Sequence, residues 1–358
     1  MKRIRSTFLA MAVAAGMSQL PPAAAAGFVD VLDTPAVESA LASKGLLQAV
    51  ARAGNALVAV GQRGHVVVST DGGAKWTQGK VPVASDLTSV FFIGDKTGWA
   101  VGHDGVILNT ADGGATWTLQ LDGRKANDLL LASLERKAAA EPASEAVKLA
   151  LVEAKRYKDQ GPDKPFLDVW FADENNGYAV GAYNLIFRTR DGGKAWDSWF
   201  DRMENPKFFN LYAIRPAGGT VFIAGEGGLV LKLDAAGEKF TAVPTPYNGS
   251  YFGVADAKSA VVVFGLRGNV YRSDDGGKAW TKVDTGLSAA VVGGTTSAKG
   301  ELLLADAGGR IVASEDAGKT YKKLTVKNPV PLTGIADAGN GRLALVGPVG
   351  VAVTEPTR

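Results

Sequence analysis

No cysteine occurs in the 358 residues, and histidine occurs only as His65 and His103. The first absence excludes disulfides, thiolate metal sites and lipid attachment at a processed cysteine. The second leaves too few imidazoles for a catalytic zinc, which wants three protein ligands at close range. The two stand 38 residues apart at non-equivalent places, so neither metal nor cofactor is expected. Also missing is a surplus of charge. Lys2, Arg3 and Arg5 lie in an N-terminal leader; without them 36 basic residues face 36 acidic ones, so no basic excess points to nucleic acid. No phosphate-binding loop, GxGxxG or G-x-S-x-G elbow stands out.

The leader itself has a basic start, an apolar Phe8–Met17 and Ala24-Ala25-Ala26 after two prolines. That core is too short to span a bilayer. Residues 1–26 therefore read as a signal peptide cleaved near Ala26, rather than a membrane anchor. Export to the bacterial periplasm with no membrane insertion afterwards is the expectation.

What the chain has in quantity is glycine, 45 residues, and it recurs with a period. Thr110 to Trp117 (Thr-Ala-Asp-Gly-Gly-Ala-Thr-Trp) returns as Ser69–Trp76, Thr189–Trp196, Ser273–Trp280 and, loosened, Ser314–Tyr321. The aromatic end-points Trp76, Trp117, Trp196, Phe240, Trp280 and Tyr321 are spaced by 41, 79, 44, 40 and 41 residues. The long interval is one period plus an insertion. Before each Asp-Gly-Gly turn run two β-prone segments joined through a glycine, as in Leu57-Val58-Ala59-Val60-Gly61 and His65-Val66-Val67-Val68. With an upstream apolar run such as Leu87–Phe92, each unit holds four strands, and four-stranded units of about 40 residues predict a β-propeller.

The residue closing the second strand appears at Gly61, Gly102, Gly181, Gly225, Gly265, Asp306 and Gly347, which predicts an all-β, seven-bladed propeller over residues 27–358. The seventh unit has no box or outer strand after Gly350–Thr354. The N-terminal run 28–32 is therefore expected to complete the last blade and spare it an open edge. Between blades two and three, about 124–164 is rich in Ala, Leu, Glu and Lys, with Pro142 in its middle. Two helices are expected there.

The boxes (Asp71, Trp76, Asp112, Trp117, Asp191, Trp196, Asp275, Trp280, Asp316 and Tyr321) read as structural, a turn plus an aromatic plug. Blade connections and the turns between second and third strands share the opposite face. Those turns vary: Arg63, His103, Asp104, Tyr183, Glu226, Arg267 and Arg310 are the candidate partner-binding residues. No catalytic residue is assigned. The competing reading is an exported sialidase-like glycoside hydrolase or glycan-binding propeller. It would need paired carboxylates near an axial pocket, with Asp104 and Glu226 as candidates and Arg63, Arg267 and Arg310 as a clamp.

Gly98-Trp99-Ala100-Val101-Gly102, then Ile107-Leu108, then Asp112-Gly113-Gly114-Ala115-Thr116-Trp117 resembles the photosystem II stability/assembly factor family. These are seven-bladed propellers of the bacterial neuraminidase (BNR, Asp-box) repeat type. The resemblance covers 46–354 apart from the helical insertion. It implies a non-enzymatic scaffold that binds protein, since photosynthetic members chaperone newly made membrane subunits through an arginine-rich patch. The arginines available here are Arg63, Arg188, Arg190, Arg267, Arg272 and Arg310. Similar proteins of heterotrophic bacteria resemble periplasmic accessories of exporters. The expected function is thus an assembly or accessory factor binding a membrane protein complex.

Overall fold

The computed structural model describes residues 29–358. They form seven antiparallel sheets, six of four strands and one of three. The inner strands are Leu47–Ala53, Leu87–Ile93, Phe166–Phe171, Leu211–Ala217, Tyr251–Ala257, Val291–Thr296 and Gly334–Gly339. Each packs against the next and the last against the first, so the ring closes as a seven-bladed propeller. Within a blade the chain meanders outward strand by strand.

The closing glycines have a steric reason. In blades one to five each pairs with the start of its inner strand across a β-bulge, as Gly61 does with Leu47 and Gly102 with Leu87. A Cβ on Gly61 would meet the Leu46 carbonyl oxygen at 2.3 Å. Blade six carries Asp306 there, fully buried. Its carboxylate accepts from the Gly308 and Arg310 amides, both at 3.0 Å, and from the Arg310 guanidinium at 2.8 Å.

Core residues sit between blades. Trp117 packs among Val58 and Val60 of blade one and Ala100 and Leu108 of its own. Trp99 and Phe171 stack across the next seam with centroids 3.5 Å apart. Helices α1 (Gly123–Ala140) and α2 (Glu145–Gln160) fill the predicted insertion, with Pro142 between them. Asp122 caps α1 by accepting from the Lys125 amide at 2.9 Å, and Ser144 caps α2. Ala126, Leu130 and Leu134 recur every four residues on α1, and Val147, Ala150, Ala154 and Tyr157 every three or four on α2. Apart from Val147 these residues join the blade-two and blade-three core, and each buried leucine contributes roughly 1.5–3 kcal/mol. No described helix is long and apolar enough to cross a membrane.

One expectation fails. The run 28–32 does not complete blade seven; Phe28 and the leader lie outside the described residues, and Val31–Asp33 is a single 3-10 turn. Asp30 caps that turn by accepting from the Leu32 amide at 3.0 Å, and Leu32 is buried among Val58, Val81 and Val83. Asp30 and Asp33 both bind Arg124 of α1. The apparent alternation Val-Asp-Val-Leu is therefore a capped turn committed to blades one and two. Among the described residues the first backbone hydrogen bond to blade seven comes at Ser43, whose carbonyl accepts from the Val351 amide at 3.1 Å.

Candidate partner-binding face

The helices share a face with the turns between second and third strands. A Cβ on Gly105, in the blade-two turn, would stand 2.6 Å from the Cα of Gly123 at the start of α1. Arg63, Asp104, Tyr183 and Arg267 hold the central position of four such turns with φ of 55, 56, 52 and 57°. The residue after each is also left-handed, the signature of a type I′ connection. Non-glycine residues resist that conformation, and blade four uses Gly227 there. Four blades therefore carry a side chain at a position where glycine is easier.

The candidates divide once placed. Arg63, His103 and Arg267 are exposed, and Tyr183 is 48% exposed. Tyr183 and Glu226 are linked through Asn210. The Tyr183 amide donates to the Asn210 side-chain oxygen at 2.9 Å, and the Asn210 amide donates to the Glu226 carboxylate at 3.2 Å. Arg310 is tied to Asp306 and to the Ser288 hydroxyl, so it holds its own turn. Of the other arginines, Arg188 lies over the rings of Tyr178 and Trp199, and Arg272 is buried against Asp274 and the Ala317 carbonyl. These two belong to the blades rather than to a surface patch.

The helical insertion joins the ring at Tyr183. The Tyr157 hydroxyl of α2 donates to the Tyr183 carbonyl at 3.0 Å, and Lys164 lies over both rings, 5.0 and 5.9 Å from their centroids. Burial pushes the Tyr157 hydroxyl well above the ordinary phenol range, so it remains a donor. Beside this junction runs a groove of about 420 Å³ between the start of α2 and the blade-three-to-four connection. Val147, Leu149, Ala150, Phe200, Met203 and Phe208 give it an apolar floor, and the Lys137–Asp201 ion pair lies on its border. Leu149 and Val152 of α2 stand 50 and 60% exposed. Sequence reasoning missed Phe200, Met203 and Phe208. Their one trace is the 44-residue spacing from Trp196 to Phe240, slightly longer than the other single periods.

The opposite face carries the boxes. The Asp112 carboxylate accepts from the Thr110 hydroxyl at 2.8 Å and from the Thr116 amide and hydroxyl at 2.9 and 2.6 Å. Asp71, Asp191, Asp275 and Asp316 repeat the arrangement. Trp76, Trp117, Trp196, Trp280 and Tyr321 pack into the seams beside them.

Along the axis is a cavity of about 180 Å³. Asp104, Glu226 and the turn arginines do not line it. Its one carboxylate is Asp168, which pairs with Arg215 at 2.5 Å and accepts from Ser89 Oγ at 2.7 Å and the Ile214 amide at 2.9 Å. Paired carboxylates for acid–base work on a glycoside are not brought together there.

The family described as photosynthesis system II assembly factor YCF48 matches residues 29–111, 74–140 and 155–304. The photosystem II assembly lipoprotein Ycf48 of Synechococcus sp. (strain CC9902) is 31% identical over 132 residues, which is 35% of this chain and 38% of that relative's length. A solved structure described as YCF48 bound to D1 peptide superposes with a TM-score of 0.62 at 16% identity, covering 88% of this chain and 95% of the other. YCF48 from Cyanidioschyzon merolae gives 0.58 at 17% identity over 90 and 98%. A streptogramin B lyase structure reaches 0.62 at 10% identity over 88 and 94%. At these identities the structural likenesses establish the fold alone, since one propeller serves many chemistries.

Proposed function

Because the chain belongs to the YCF48 assembly-factor family of propellers, we propose that it is a non-enzymatic assembly or accessory factor. In this reading it binds a protein partner through the face that carries α1, α2 and the second-to-third-strand turns. The partner is a membrane protein complex, with an exporter as the specific candidate, and an exported chain would meet it in the periplasm. The observation that carries the reading is the junction at Tyr183. An exposed aromatic held in a left-handed turn is braced by Tyr157 beside an apolar groove and the exposed Leu149 and Val152. Exposed apolar surface with a polar rim is what a protein contact requires. The relative described as bound to a D1 peptide supports a polypeptide ligand. The Synechococcus relative is named a lipoprotein, which supports export, although this chain has no cysteine to carry a lipid. The single, ion-paired axial carboxylate supports a role without hydrolysis.

The test is site-specific photo-crosslinking in intact cells, with the reactive group at Tyr183, at Leu149 or, on the opposite face, at Lys278. Crosslinks to one membrane protein from Tyr183 and Leu149, lost in a Val152→Glu background, are expected. Equal crosslinking from Lys278, or none from the helical face, would overturn the assignment.

A further inference from the structure

Six seams of the ring contain a large aromatic supplied by the blade that follows: Trp76, Trp117, Trp196, Phe240, Trp280 and Tyr321. Trp76, for example, packs with Ala344, Val351 and Val353 of blade seven as well as with Leu57 of its own blade. The seam between blades six and seven is aliphatic among the described residues, built from Leu303, Ala313, Leu324 and Leu343. At that seam lies a cavity of about 540 Å³ whose lining includes these four side chains, with Pro356 and Arg358.

The repeat says what this cavity fits. Leu303 stands three residues before Asp306 as Val58 stands before Gly61, and Ala313 precedes Ser314 as Val68 precedes Ser69. In blade one, Val58 and Val68 are the surface on which blade two's box turn sits: a Cβ on Gly114 would lie 3.2–3.4 Å from them. Trp117 follows that turn into the same cluster. The floor of the cavity is thus the floor of an aromatic plug.

Among the described residues the strand beside it is also half-paired. In blade one, Val67 and Val68 of the third strand pair with Gln78 and Thr77, the two residues that follow Trp76. In blade seven the third strand, Gly350–Thr354, pairs with Arg342–Gly347 on one side. On the other, the described backbone contact is the Val351 amide with Ser43. Beyond Thr354 the chain does not return along this edge. Thr357 exchanges both backbone hydrogen bonds with Thr325, next to blade six's outer strand, and Arg358 binds Glu301 and Glu315.

We propose that the edge of Ala352–Thr354, unpaired among the described residues, and the adjoining cavity accept an extended polypeptide from a protein partner. The guest pairs antiparallel with the edge and places a large aromatic side chain between blades six and seven. This is β-augmentation in which the backbone gives affinity and one pocket gives selectivity. The site lies on the Asp-box side, so it stands or falls independently of the helical face.

The test titrates the full chain with a labelled peptide copied from blade two, residues 112–121, and with its Trp117→Ala counterpart. Saturable binding of the first is expected, with slowed amide exchange confined to 350–354. The Trp117→Ala peptide should bind on the order of tenfold or more weaker. An Ala313→Trp protein, which fills the cavity, should lose binding, and Leu149→Glu on the other face should keep it. Equal binding of the two peptides, or protection elsewhere, would overturn the proposal. So would amides at 352–354 that are already protected in the free chain, since residues 1–28 or a second copy would then occupy the edge.

Discussion

The Tyr157 hydroxyl donates to the backbone carbonyl of Tyr183, 26 residues away, and this contact couples the helical insertion to the ring of turns. Tyr183 is half exposed and its φ is 52°, so the turn tolerates an unfavourable conformation that the helix helps to hold. Tyr157→Phe keeps the packing against Phe200 and removes the donor. The expected loss is about 1 kcal/mol of stability, read by denaturant unfolding. A larger proportional loss of partner crosslinking at Tyr183 is expected too, because the turn loses its brace.

Arg267 offers the complementary experiment. Its φ is 57° and its side chain is exposed. Arg267→Gly relieves the left-handed strain and is expected to leave stability unchanged or raised by up to ~1 kcal/mol. Arg267→Ile, β-branched at the same φ, should lower it by ~1 kcal/mol or more. Thermal unfolding of the pair decides this. If the side chain serves the partner, Arg267→Gly weakens binding while the fold gains.

The box carboxylates set an acid limit on stability. Backbone amides and Ser or Thr hydroxyls hold Asp71, Asp191 and Asp275 below their ordinary 3.8, and the Thr320 hydroxyl and amide hold Asp316 lower still. For groups whose folded pKa is depressed, the contribution is fully present above 3.8 and fades as pH falls through the folded values. Denaturant midpoints should therefore hold from neutral pH down to about the ordinary carboxylate value and decline below it. Asp316→Asn, which removes the strongest of these, should shrink the acid-side decline. An unchanged slope would show that other carboxylates govern it.

These observations also show which parts of the molecule the residues announce. A turn fixed by Asp112 and Gly113-Gly114, followed by Trp117, repeats with side-chain chemistry that can be read one position at a time, so blade number and both faces follow from spacing. Helices α1 and α2 were legible for a similar reason, since alanine and leucine recur at helical intervals around Pro142. The site is less legible. The groove needs Phe208 and Leu149 to meet across 59 residues, and no local pattern encodes that meeting. The N-terminal run failed because Val29–Leu32 alternates as a strand would, whereas Asp30 uses its carboxylate to cap a turn. The tie of Arg310 to Asp306 was not legible either, because charge alone does not tell a free surface arginine from one bound to a buried aspartate.

The axial pair allows the hydrolytic reading to be separated from the structural one. The Asp168 side chain is 7% exposed, and Arg215 supplies its counter-charge at 2.5 Å. Arg215→Met removes the partner and leaves the carboxylate with only the Ser89 hydroxyl and the Ile214 amide, which is expected to lower stability by roughly 3–5 kcal/mol. Asp168→Asn in the same protein removes the stranded charge, its amide oxygen accepting from the Ile214 amide and its NH2 donating to the Ser89 hydroxyl, so the double variant should recover a large part of that loss. Such recovery, measured by unfolding, marks the pair as a tie between blades three and four. An axial carboxylate that worked as a general acid or nucleophile behaves differently. Asp168→Asn alone would then abolish turnover of a glycoside while leaving the fold intact, and assaying that variant on sialoside and simple aryl glycosides reads this outcome directly.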